Sequence, residues 1–429
     1  MKKKSLRITV MAVAICMILG TWAVAFAKAE TEKAGTAAQA AATIQTDAVS
    51  AGASVVAVST GTAIFQRSDL FTDRDLLQTA DLSKAVTYTV ADGQDIAITA
   101  AGTYVLTGSA RNVTVTVEAD KEDKVQLVLE GLDLTNDDAP AIYVKSADKV
   151  FVTTATDSAL SVTGSFVKDG DTNLDGVIFS KSDLTLNGTG TLTVASSKNG
   201  VVGKDDLKVT GGTYVISANK NALEANDSIC IADGVLALTA GTDGLHAEND
   251  EDDTTGYIYI GGGTVAIRCG DDAIHATSVV QVDGGNLTIS AAEGIEATYV
   301  QLNGGTVSIT SSDDGINAAQ KSSAYRATVE INGGDIAIAM GAGDTDGVDS
   351  NGDIIVNGGT ISVTGNSTFD CDGSAQYNGG TILANGQQID YIPNQMMGGH
   401  GGGFGGGWGG GSGGGWGGNG GFGGGRRGW

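Results

Sequence analysis

Acidic side chains recur at matching places in a short motif that appears as NALEA at 221, TDGLHA at 242, DDAIHA at 271, EGIEA at 293, DDGINA at 313 and TDGVDS at 345. One polar position runs through Asn199, Asn221, Asp243, Asp272, Glu293, Asp314 and Asp346, with further acids beside it at Asp271, Asp313 and Asp344. Past each of the copies from Asn221 on lies a second polar set, Glu224, His246, His275, Glu296, Asn317 and Asp349. Two unit charges about 5 Å apart repel by roughly 1 kcal/mol in water and roughly 3 kcal/mol at an effective dielectric of about 20, so stacked carboxylates need a counter-charge. Between residues 200 and 400 the lysines and arginines are Lys204, Lys208, Lys220, Arg268, Lys321 and Arg326, too few to supply it. Ca²⁺ takes about six to eight oxygen ligands at roughly 2.3 to 2.6 Å, which carboxylates and turn carbonyls provide. The pattern predicts calcium on Asp243, Asp271, Asp272, Glu293, Asp313, Asp314, Asp344, Asp346 and Asp349. Plain turn duty, with Asp for an Asx bond and Gly for positive φ, explains any one copy but not the doubled acids. Two histidines without cysteines point to stacked, solvent-facing rings at His246 and His275 rather than to zinc. A separate stretch, DTNLDGVI at 171, places Asp171, Asn173 and Asp175 as in the opening of an EF-type calcium loop, but its twelfth position is Ser182 in place of the usual Glu.

The elements that must position these residues are strands. LKVTGGTYVI at 207, VQLNGGTVSI at 300 and IIVNGGTISV at 354 typify a unit in which alternating apolar residues flank a Gly-Gly turn. Such alternation marks a strand with one buried face, and Val, Ile and Thr suit it. The second glycine of each turn falls at 190, 212, 234, 263, 285, 305, 334, 359 and 380, a period of 20 to 29 residues. That period holds three short strands and their turns, the acidic motif supplying the third. Stacking then creates an inward column Leu223, Leu245, Ile274, Ile295, Ile316, Val348 and a small-residue column beside it. Inserts are expected at 246–256 and 318–326, on the same edge. The nonapeptide calcium β-roll has too short a period. The fold class expected is all-β: a right-handed parallel β-helix of about nine or more coils, with an irregular N-terminal cap where GTYVLTGSA and KVQLVLEGLDL alternate without Gly-Gly turns.

MKKKSLR followed by an apolar run that ends Ala25-Phe26-Ala27 reads as a signal peptide over 1–27, which places the mature chain outside the cytoplasm, secreted or at the cell surface. Residues 28–66 lack periodicity and read as a disordered Ala/Thr/Ser spacer, 67–391 as the β-helix, and 392–429 as a disordered glycine tail with interleaved Phe and Trp that offers sugar stacking or self-association. A net charge of −25 excludes nucleic acid as a partner. Cys230, Cys269 and Cys371 read as buried thiols on small inward positions.

The stretches FTDRDLLQTADLS, AAGTYVLTGSA, DKVQLVLEGLDLTNDDAPAIYVKSADKVFV, GVIFSKSDLTLNGTGTLTV and GDDAIHA resemble a family of secreted bacterial carbohydrate-binding β-helix proteins over about residues 68 to 386. The resemblance implies a polysaccharide-lyase-like fold, calcium along the coil edge at positions such as Asp272, Asp314 and Asp346, and binding of cellulose and polygalacturonate (pectate). The function expected is therefore calcium-dependent polysaccharide binding without catalysis. One alternative is a calcium-dependent pectate lyase, for which Arg268 is the candidate base; another is a structural adhesin whose calcium only stabilises the fold.

Overall fold

The computed structural model describes residues 61–249, 251–342 and 345–393. The signal peptide, residues 28–60 of the spacer, Asp344 and the tail from 394 onward lie outside the described residues.

In Val235–Ala240 and Thr306–Ser311 every second residue is buried, so each strand turns one face inward. Inward residues stack in parallel register from repeat to repeat. Leu207, Ile229, Ile258, Val280, Val300, Val329 and Ile354 form one column. Leu223, Leu245, Ile274, Ile295, Ile316 and Val348 form another, which Phe369 continues. Every member of both columns is 0% exposed. Burying each is worth roughly 1.5 to 3 kcal/mol. A slip of one residue would turn a whole column outward, so register is strongly held. The expected small-residue column also forms, Ala225 through Ser350, and Cys371 ends it.

Glycine is needed at the turns for two reasons. Gly305 holds φ at 87°, and a Cβ there would sit 2.8 Å from the Gly285 carbonyl oxygen of the preceding repeat. The chain is all-β, with sheets of 24 and 12 strands. Third strands make up the 12-stranded sheet, which is parallel throughout, and the first and second strands merge into the larger one.

Two expectations change. The N-terminal region is not an irregular cap: Gly102–Arg111 and Lys124–Asn136 are long strands that stay in the parallel ladder, and the latter pairs with two later strands, Lys149–Thr154 and Ser158–Val162. Bends at Gly108 (φ 98°) and Gly131 (φ 62°) replace the Gly-Gly turns. Residues 61–66, assigned above to a disordered spacer, are ordered. They begin a strap, 61–78, that crosses the outer face of the large sheet. Gly61 donates to Asn332 Oδ1 (3.2 Å), Ile64 to Gln301 Oε1 (3.1 Å) and Phe65 to Gln281 Oε1 (2.7 Å). Polar side chains of three repeats thus satisfy backbone that has no ladder of its own. Phe65 stacks on Tyr257 at 4.4 Å, and Lys149 binds Asp75 at 2.7 Å with 9% and 0% of the two side chains exposed.

Cys230, Cys269 and Cys371 form no disulfide. Cys371 is inward as expected, whereas Cys230 lies on the outer face between Lys208 and Tyr259, buried because Leu70 and Phe71 of the strap cover it. The 246–256 and 318–326 inserts meet where Ser323 donates to Asp253 (2.7 Å).

Candidate functional site

The outward column of the 12-stranded sheet changes character along its length. After Ala97 and Thr116 it runs through Tyr143, Phe179 and Val202, which Phe166 and Leu174 cover. It continues as Glu224, His246, His275, Glu296, Asn317, Asp349 and Asp370.

The polar position ahead of each third strand has a structural task. Asn221 N–H donates to Asn199 Oδ1, Asp243 N–H to Asn221 Oδ1 and Asp272 N–H to Asp243 Oδ1, each at 3.1 Å, and Asp346 N–H donates to Asp314 Oδ1 at 2.9 Å. Each side chain caps the next repeat, so part of what Asp and Asn do here is turn chemistry. The remaining oxygens divide the row in two.

In the first half the acids are matched by histidine rings and a lysine. His246 Nδ1 lies 2.7 Å from Asp243 Oδ2, and His275 Nδ1 lies 2.6 Å from Asp272 Oδ2 and 3.1 Å from Glu296 Oε2. The two rings stack at 4.8 Å, as expected, but they do not face solvent: the side chains are 17% and 12% exposed. Lys321, carried in by the second insert, lies 2.7 Å from Glu296 Oε2 and 3.4 Å from His275 Nε2. Burial opposes charge on His275, yet hydrogen bonds to Asp272 and Glu296 outweigh it and push the ring up to about 9. Burial likewise favours neutral Glu296, and the His275 and Lys321 hydrogen bonds overcome that, holding it at about 2. Asp272, His275 and Glu296 bring three ligand atoms within 4.8 Å of one another. A metal there would have to displace both the His275 proton and the Lys321 ammonium.

In the second half the acids face other acids. Burial first, then Asp314, Asp346 and Asp370, raise Asp349 to about 7. Burial and the neighbouring acids Asp313 and Asp346 raise Asp314 to about 6, despite the Asp346 N–H bond. Glu293 stands at about 7 from burial, Asp272 and Glu296. Buried oxygens without a hydrogen-bond partner gather here: Asn317 Oδ1, Thr345 Oγ1, Asp346 Oδ1, Ser367 Oγ and Asp370 Oδ1. Ser367 pairs with Asp346 across the ladder, and Asp370 with Asp349. An oxygen-only donor set with unmet charge suits a hard divalent cation.

Sequence-derived candidates therefore separate. Asp314, Asp346 and Asp349 come together, Glu293 borders them, and Asp243 and Asp272 are engaged by histidine. Asp271 and Asp313 are exposed at the rim. Asp171 and Asn173 are exposed on the loop over the apolar part of the column, while Asp175 is half-buried. The backbone carbonyl of Asp175 accepts the Asn199 N–H (2.9 Å), while its side chain has an unpartnered Oδ1 and is raised by burial and by Glu224. Asn173 Nδ2 donates to Asp175 Oδ2 at 3.4 Å within that loop. Asp370 and Ser367 escaped the sequence reading, although STFDC at 367 repeats the alternation of the other third strands. Lys321 left no such signal, because it lies in an insert. Arg268 is exposed on the neighbouring sheet, in register with Thr239 and Ser290, whereas Lys204 and Lys321 lie at the row itself, 3.2 Å from Glu224 and 2.7 Å from Glu296.

A family model described as carbohydrate-binding domain-containing protein matches residues 92–347 and 293–390. A carbohydrate-binding domain-containing protein of Acetivibrio thermocellus is 36% identical over 124 residues, which cover 28% of this chain and 43% of that relative, so the match spans less than half of the relative's length. A solved structure of a polysaccharide lyase-like protein from C. thermocellum, a gadolinium derivative, aligns at 31% identity and a TM-score of 0.47 over 49% of this chain and 93% of that one.

Proposed function

The chain belongs to the family of carbohydrate-binding domain-containing proteins, and from that premise we propose that it binds polysaccharide, without turning it over, through a body to which calcium is bound. The body is a right-handed parallel β-helix in this reading, the hand that parallel connections take in about 98% of cases. The observation that carries the proposal is the gathering of unpartnered oxygens at Asn317, Asp346, Ser367 and Asp370 beside the raised carboxyl of Asp349. Those residues would hold the cation, which would supply positive charge on an edge otherwise closed to an acidic polymer. Polygalacturonate and cellulose are the glycans to try, and the N-terminal run read above as a signal peptide supports a secreted or cell-surface setting.

Calorimetry with each polymer, with and without EDTA, tests the reading. Calcium-dependent heat with polygalacturonate is the expected result. Glycan binding that ignores EDTA would remove calcium from the account, and calcium binding with no glycan binding would leave a structural adhesin. A second reading, a lyase, is favoured by one observation, the amine of Lys321 at 2.7 Å from Glu296. It requires a free base beside the acidic row, and Lys321 is ion-paired with Glu296 there. Unsaturated product absorbing near 235 nm would decide for the lyase.

A further inference from the structure

Apart from the acidic row, the described residues form a cleft beneath the strap. It has a volume of about 510 Å³, within the span of roughly 300 to 1,000 Å³ usual for small-molecule sites. Its floor is the stack of Gly-Gly turns from Gly188 to Gly263, one wall is the strap, and the other is the start of the strands Val235–Ala240 and Thr264–Arg268.

The floor must be glycine for more than the turn. A Cβ at Gly211 would lie 2.1 Å from Gln78 Oε1, so a side chain there would evict the residue that seats the strap. Gln78 is fully engaged: it accepts from Gly188 N–H and donates to the Thr210 and Leu76 carbonyls, each at 3.0 Å. It is a structural part of the wall. Arg67 and Asp233, by contrast, are exposed groups at the cleft. Arg67 uses Nη1 on the Ala232 carbonyl at 3.0 Å, lies 5.5 Å over the Phe71 ring and hydrogen-bonds Tyr259, and its guanidinium carries five N–H donors in all. Asp233 Oδ1 accepts from Gly234 N–H at 2.8 Å, and a carboxylate has a second oxygen. Between these polar groups stand Leu76 and Val235, 39% and 47% exposed.

A donor fork, an acceptor and two apolar side chains over a flat backbone floor match what a sugar ring presents, hydroxyls on its rim and C–H bonds on its face. One guanidinium and one carboxylate cancel, and the chain as a whole carries −25, so a polyanion finds no attraction here. We propose that the strap cleft is a calcium-independent subsite for a neutral, hydroxyl-rich glycan. The inference rests on the polysaccharide-binding reading above and assigns neutral polymers to the strap face while acidic ones go to the calcium edge.

The test uses the full chain in EDTA, titrated with cellohexaose, and three variants. Arg67→Gln removes the donor fork, Val235→Glu removes an apolar wall at an exposed position, and Asp349→Asn alters the acidic row. The first two are expected to weaken binding tenfold or more with an unchanged strand signature in circular dichroism, and the third to leave it within twofold. Cellohexaose binding that survives Arg67→Gln and Val235→Glu, or that the wild-type chain lacks while still taking polygalacturonate with calcium, overturns the cleft assignment alone. A wild-type chain that takes neither polymer in either buffer overturns the polysaccharide-binding reading with it.

Discussion

Asp349→Asn should stabilise the calcium-free protein at pH 8 and weaken its response to calcium. Asp349 is in register with Asn317 on one side and Asp370 on the other. Its carboxyl is raised from 3.8 to about 7 by burial, Asp314, Asp346 and Asp370. A group whose folded pKa exceeds its unfolded value favours folding while protonated. Its contribution is complete below about pH 4 and is lost as pH rises through about 7. A shift of about three units corresponds to roughly 4 kcal/mol, and because the side chain is only partly buried, solvent screening reduces this to about 1 to 2 kcal/mol. The amide keeps the shape and removes the charge. At pH 8 the calcium-free variant should therefore melt a few degrees above wild type, and at pH 4 the two should coincide. Added calcium at a hundredfold excess over Kd stabilises the wild type by about 2.7 kcal/mol, and the variant should gain measurably less. Scanning calorimetry at both pH values, with EDTA and with calcium, provides the numbers. A variant that is less stable at pH 8, or that responds to calcium as the wild type does, would refute the reasoning and return Asp349 to a structural role.

Asp314→Asn combined with Asp346→Asn should lower calcium and polygalacturonate affinity while leaving the strand signature in circular dichroism unchanged; unaltered calcium affinity by calorimetry would return both residues to turn duty. Lys149→Met strips the buried Asp75 carboxylate of its partner and should cost about 3 to 5 kcal/mol in urea unfolding. Asp75 itself is held at about 2, where hydrogen bonds from Lys149 and Thr72 outweigh burial, so the wild-type strap should loosen as pH falls from about 4 through about 2, read as faster amide exchange over residues 61–78. Gly305→Ala, which meets both a φ of 87° and a carbonyl at 2.8 Å, should cost more than about 1 to 2 kcal/mol in thermal unfolding. Incubation with polygalacturonate and calcium at alkaline pH should produce no absorbance near 235 nm, and activity that disappears in Lys321→Met would identify a lyase.

The repeated units could be read before any coordinate because a stacked ladder imposes one condition on every repeat. Ile274, Ile295 and Ile316 must face inward at one register, and Gly285 and Gly305 must each turn with positive φ against the backbone of the preceding turn, so each copy reports the same constraint. For the same reason the polar columns from Glu224 to Asp349 were visible as columns. What each acid meets was not, because that depends on segments outside the period. Lys321 reaches Glu296 and His275 from an insert, and the strap meets Gln281, Gln301 and Asn332 across more than 200 residues of chain. Asp271 and Asp272 are neighbours in sequence, yet one is exposed and the other buried against His275, since successive residues entering a strand face opposite ways. Periodicity by itself determined the strands, their register and the alignment of the acids. Only tertiary structure decided which acids received a cation from elsewhere in the chain and which were left facing one another, because an aperiodic loop or strap has no sequence signal for the surface it covers.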